Sequence, residues 1–224
     1  MSADDNATWL FKKPHDHNHN SESFWSSLFA LQILEASRIG QGLQIPMFQY
    51  REDVDRWWFD QDGLLNIPRD LKFQQIVIEG YIRDNLLGKQ TDANKDFYNL
   101  KPDISIQLEG EILIIEVKTV GHKIGRRQKS LYERLCQHLV SRGHRASLYF
   151  LISAGHEENS DLQLLKSSGT GPSTFKILLW EQFFKSVAEQ LPNSLIARCL
   201  DNLSAYYIAE NKYLQGKKPQ GKLA

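Results

Sequence analysis

The stretch Lys101-Pro102-Asp103-Ile104-Ser105-Ile106-Gln107-Leu108-Glu109-Gly110-Glu111-Ile112-Leu113-Ile114-Ile115-Glu116-Val117-Lys118 reads as two strands joined by a tight turn, with charged groups set into apolar strands. With Glu109-Gly110 as a two-residue turn, Leu108 opposes Glu111 and, in the same register, Asp103 opposes Glu116. Directly opposed residues share one face of the sheet, with Cβ atoms about 4.5–5.5 Å apart. Lys118 lies two residues beyond Glu116, so the period of a strand puts it on that face as well. The pattern predicts two carboxylates and an ammonium converging on one spot.

Two like charges set opposite each other are destabilising. A divalent cation between Asp103 and Glu116 relieves the repulsion at neutral pH, and hard oxygen ligands suit Mg²⁺, which takes one or two protein carboxylates and keeps several waters. Room for a phosphate follows from those waters. Lys118 would then hold or deprotonate the attacking water. Such chemistry hydrolyses phosphodiesters.

Pro102-Asp103 followed by Glu116-Val117-Lys118 resembles the signature of the PD-(D/E)XK nuclease superfamily, an aspartate and an (Asp/Glu)-x-Lys on adjacent strands. Gln128-Lys129-Ser130-Leu131-Tyr132 resembles the Gln-x-x-x-Tyr that follows the lysine strand in one branch of that superfamily. The resemblance implies an α/β fold of the restriction-endonuclease type, a central mixed sheet flanked by helices in the order helix, strand, strand, strand, helix, strand, with helical additions at both ends. It also implies a Mg²⁺- or Mn²⁺-dependent deoxyribonuclease acting in phage defence, restriction, recombination or repair. Asp103, Glu116 and Val117 would ligate the metal, Glu79 would stand as an additional acidic ligand, and Gln128 and Tyr132 would fasten the substrate.

Charge distribution bears on the partner. Residues 1–117 carry eleven Lys/Arg against nineteen Asp/Glu, whereas residues 118–145 carry eight against Glu133 alone. Basic charge is thus concentrated just after the expected metal ligands. Lys123, Arg126, Arg127 and Lys129 lie at the entry to a helix, where unpaired N–H groups and the dipole favour phosphate, so DNA is the expected partner. A homodimer or a partner protein in a defence or recombination complex is also consistent with the resemblance. The two cysteines, Cys136 and Cys199, are too few for a disulfide framework or an iron–sulfur cluster. There is no phosphate-binding Gly-x-x-x-x-Gly-Lys loop, so no nucleotide cofactor is expected. The acidic start and the lack of a long apolar run predict a cytoplasmic protein without a membrane span.

Periodicity and breakers organise the rest. Residues 1–20 read as a flexible N-terminus and 21–66 as a helical and aromatic extension packed on the core, its helix burying Phe24, Leu28, Leu31 and Leu34. The nuclease core spans 67–192. It opens with a helix over 68–87 that carries Glu79 on its flank, and the hairpin follows. A helix over 126–142 buries Leu131, Leu135 and Leu139, and a strand over 146–153 runs parallel to the Glu116 strand. A loop over 155–173, a strand over 175–179 and a helix over 181–190 complete the core; a helix over 193–214 and a basic tail over 215–224 end the chain.

Plainer alternatives attach to each group. Asp103, Glu116 and Lys118 would otherwise be a solvated strand pair, Gln128 and Tyr132 a helix-surface pair, and the arginines solubilising residues of a turn. His15, His17 and His19 are more economically an unstructured polar tract, and Trp57, Trp58 and Phe59 core aromatics instead of base-stacking ones. Two competing functions remain at this point: a catalytically inactive DNA-binding module and an interaction subunit of a larger complex.

Overall fold

The computed structural model describes residues 22–51, 56–72, 75–118, 124–152, 175–194 and 197–198, with the side chains of 22–23, 49–51 and 56–62 left aside. The expectations for residues 1–20, His15, His17, His19, Lys123, Cys199, the 155–173 loop, most of the last helix and the basic tail fall outside these residues. So do those for the side chains of Trp57, Trp58 and Phe59.

Helix α1 (Glu22–Arg38) leads into strands β1 (Leu43–Arg51), β2 (Arg56–Ile67) and β3 (Ile76–Ile78) and a π-helical turn (Arg83–Leu87). Strands β4 (Ile104–Leu108) and β5 (Glu111–Val117), helix α2 (Arg126–Ser141), strands β6 (Arg145–Ile152) and β7 (Lys176–Leu179) and helix α3 (Trp180–Gln190) follow. The strands form one mixed seven-stranded sheet in the order β2-β1-β7-β6-β5-β4-β3, flanked by helices, as the α/β expectation requires. β5, β6 and β7 run parallel, and the remaining neighbours pair antiparallel.

The hairpin takes the expected register, from Leu108↔Glu111 to Ile104↔Ile115. Gly110 adopts φ 71°, a conformation costly for a side-chain-bearing residue, and so closes the turn. In β5 the two faces separate by parity. Leu113, Ile115 and Val117 pack with Trp25, Phe29 and Ile33 of α1 and Trp180, Phe183 and Val187 of α3, while Ile112 and Ile114 pack with Tyr132, Leu135 and Leu139 of α2. Both faces being covered explains the near-continuous apolar run of this central strand.

Three expectations are corrected. No α-helix spans 68–87: Ile76-Val77-Ile78 forms edge strand β3 against Ile104–Ile106, because a β-branched run suits a pleated surface and Gly80 interrupts any helix there. Helix α1 stands ahead of the three-strand unit in its place. Residues 44–51 and 56–66, expected in an extension packed on the core, lie in β1 and β2, which pair with each other and join the sheet through β7, with a register shift at Pro46/Met47. Leu43, Ile45 and Met47 recur at a period of two and are buried, a pattern that the aromatic density further on obscures. Finally, the buried face of α1 is rotated by one residue from the expected stripe: Trp25, Phe29 and Ile33 are buried, and Leu31 is 62% exposed.

Trp180 anchors the α1/α3 layer, with ring centroids 5.3 Å from Trp25, 5.7 Å from Phe184 and 6.2 Å from Phe29. Trp180→Ala is expected to lower stability by about 3–5 kcal/mol, read as a fall in the urea midpoint.

Candidate functional site

The end of the hairpin is built by side chains taking over from backbone. Beyond Ile104↔Ile115 the next N–H of β5, that of Val117, donates to Asp103 Oδ2 at 2.7 Å instead of to a carbonyl. The Asp103 carbonyl in turn accepts the Glu79 N–H at 2.9 Å. Asp103 is therefore held from both sides, between the ends of β3 and β5. Lys118 continues the parallel ladder past β5, its N–H donating to the Leu151 carbonyl at 2.9 Å.

Glu116 projects from β5 toward α2 and is 3% exposed, and Lys118, on the same face, is 4% exposed. Lys118 Nζ donates to Glu116 Oε1 at 2.9 Å, and Gln128 Nε2 donates to the same oxygen. The other carboxylate oxygen, Oε2, is buried without a hydrogen-bond partner. Tyr132, one helical turn beyond Gln128, is also buried. Its phenol is held well above its usual range, first by burial, then by the negative charge of Glu116 and a hydrogen bond with it, and further by the charge of Asp103. Both carboxylates thus act on one hydroxyl. The spacing of α2 that buries Leu135 and Leu139 also carries Gln128 and Tyr132 over Glu116.

Other expected site residues are placed differently. Glu79 is not on a helix flank; it follows β3 with φ 49°, an uncommon conformation for a residue other than glycine, and its carboxylate pairs with Lys101 Nζ at 3.1 Å. Val117 is fully buried, with its N–H on Asp103. Arg126 and Arg127 are exposed in the first turn of α2. Lys129 points elsewhere: it is nearly buried, pairs with Glu133 at 3.3 Å and lies 5.0 Å from the Phe175 ring centroid. Its charge is engaged within the helix, so it stands apart from Arg126 and Arg127. Among the described residues, no three His, Cys, Asp or Glu side chains cluster in a way that could hold a metal ion.

The Glu79–Lys101 contact depends on the pairing of β3 with β4, in which Ile78 lies opposite Ile104; a helix over 68–87 hides it.

The chain matches no protein-family model and none of the curated proteins. Among solved structures it is similar to the small subunit of the heterodimeric restriction endonuclease R.BspD6I, with 17% identity and a TM-score of 0.33 over 62% of this chain and 76% of that one. So loose a likeness transfers neither residues nor activity. Among the described residues, no helix is long and apolar enough to cross a membrane.

Removing one partner of a buried ion pair leaves the other charge uncompensated. Lys118→Met is therefore expected to cost about 3–5 kcal/mol in urea unfolding, and the double variant Lys118→Met/Glu116→Gln should recover most of it. A second expectation concerns alkali. Tyr132 is raised, Tyr149 is pushed up to about 12 from 10.0 and Cys136 to about 12 from 9.0, each chiefly by burial. The folded protein keeps these protons longer than the unfolded chain. Stability from this source is intact below pH 9 and is lost as pH rises toward 12. Tyr132→Phe should make that fall shallower, as measured by urea midpoints across the range.

Proposed function

We propose that this chain is a divalent-metal-dependent nuclease that hydrolyses phosphodiester bonds in DNA, alone or as a subunit of a defence, restriction, recombination or repair complex. The observation carrying the proposal is the buried, unpartnered Oε2 of Glu116 in a site where Asp103 supplies a second carboxylate. A buried carboxylate oxygen without a donor is costly, and a cation would satisfy it. Two carboxylates and a backbone carbonyl at Val117 are hard oxygen donors suited to Mg²⁺ or Mn²⁺. Such an ion, when bound, polarises a phosphoryl oxygen and lowers the pKa of an attacking water.

The chain's own groups have separable tasks in this reading. Lys118 compensates Glu116 and, from that position, would orient the water. Gln128 fixes the orientation of the Glu116 carboxylate from above, and Tyr132, kept neutral, remains a hydroxyl donor beside it. Exposed Arg126 and Arg127, at the N-terminus of α2, draw the phosphate backbone toward the site. Glu79, one backbone hydrogen bond from Asp103, serves as an auxiliary acidic group once released from Lys101.

A second reading is favoured by the near-complete burial of Glu116 and Lys118, which also suits a structural ion pair in a binding subunit without catalysis. Incubation with linear, circular, single-stranded and branched DNA in Mg²⁺ and in Mn²⁺ separates the two. Metal-dependent cleavage is expected, with Asp103→Asn losing several kcal/mol of transition-state stabilisation, more than about a hundredfold in rate. A DNA shift without cleavage in either metal would instead establish the binding subunit.

A further inference from the structure

Beside Asp103 the segment 79–83 folds back along 99–103. The Glu79 N–H reaches the Asp103 carbonyl at 2.9 Å, and the Ile82 N–H reaches the Leu100 carbonyl at 3.1 Å. Between these two bonds stands Tyr81, a large aromatic residue that is 41% exposed in the segment paired with 99–103. Its backbone is pinned: the Tyr81 carbonyl accepts the Asp84 N–H at 3.1 Å and Asn85 Nδ2 at 3.1 Å. The turn is also tight, since a Cβ on Gly80 would run into Val77 Cγ1. The Arg83 guanidinium lies 4.4 Å from the Tyr81 ring centroid, and Arg83 Nη1 is held by Asn99 Oδ1 at 2.7 Å.

We infer that Tyr81 is a stacking platform for an unpaired nucleobase, and that the strand the site accepts is single-stranded or locally splayed. The inference rests on the nuclease reading for the identity of the bond placed at Asp103 and Glu116. A rigid ring loses little freedom on binding, and base–aromatic stacking is tolerant of sequence. Arg83 covers one face of the ring by a cation–π contact, and a base takes the opposite face. Charge argues for an unpaired strand over a duplex at this place. Lys101 already holds Glu79 at 3.1 Å and Arg83 holds Asp84 at 3.4 Å, so each cation here has a carboxylate beside it. Such a surface has little surplus charge for a duplex backbone; what it offers is the ring, and bases in a duplex are already stacked.

Fluorescence anisotropy with a labelled oligothymidine in EDTA, where no cleavage occurs, tests the inference. Tyr81→Ala is expected to weaken binding about 5- to 150-fold, the equivalent of one lost stack of about 1–3 kcal/mol, while Tyr81→Phe stays near wild type. Binding of the matching duplex should be weaker and indifferent to Tyr81→Ala. Equal single-strand affinity in wild type and Tyr81→Ala, an equal loss on duplex, or no binding by the wild-type chain would overturn it. Parallel cleavage assays keep the two readings apart. Cleavage by the wild type with unchanged affinity in Tyr81→Ala removes the platform and leaves the nuclease; Tyr81-dependent binding without cleavage removes the nuclease and leaves the platform.

Discussion

A carboxylate buried at the end of a central strand constrains everything around it. Glu116 belongs by parity to the same face as Ile112 and Ile114, beneath α2, where water does not compensate its charge. Desolvating an ionised carboxylate costs several kcal/mol, so the neighbourhood must supply donors and positive charge. Lys118 supplies the charge from the same strand face, and Gln128 supplies a donor from the helix above. These contacts leave Oε2 without a partner, which makes the site under-satisfied on the side of anionic oxygen. The polar cluster lies at the C-terminal end of β5, where the parallel ladder runs out.

Asp103 shows how the sheet itself prepares that end. Its side chain replaces a backbone acceptor for Val117, and its own carbonyl ties in Glu79. The two carboxylates are consequently fixed by hairpin register and not by loop conformation. Placing site residues on strands favours this kind of precision. The positive φ of Glu79 is local strain at the same edge, which the paired segments 79–82 and 100–103 hold in place.

The hairpin was legible because alternation, a Gly turn and a period of two leave little freedom in register; the parallel β6 followed from the same kind of pattern, as did Leu135 and Leu139 in the stripe of α2, whereas Leu131 is only half-buried and Tyr132 takes the buried place. Less was legible where a pattern is short or ambiguous. Ile76-Val77-Ile78 satisfies a helical spacing as readily as a strand until the partner strand is known, and β1 and β2 are decided by pairing across 43–67 that no local window contains. The site divided in the same way. Glu116 and Lys118 sharing a face was readable from the strand, whereas the convergence of Gln128 and Tyr132 on Glu116 depends on how α2 crosses the sheet. Lys129 was misplaced because position at a helix start does not reveal which way a side chain turns; its partners are Glu133 and Phe175.

Asp103 and Glu116 are proposed to form one divalent-cation site, with the ion satisfying Glu116 Oε2. Calorimetric titration of the full chain with Mn²⁺ at neutral pH, without nucleic acid, tests it most directly. Saturable binding that Asp103→Asn and Glu116→Gln each abolish, in variants that remain folded by circular dichroism, is the predicted result. Absence of Mn²⁺ binding by the wild-type chain, or binding that survives in Glu116→Gln, would contradict it.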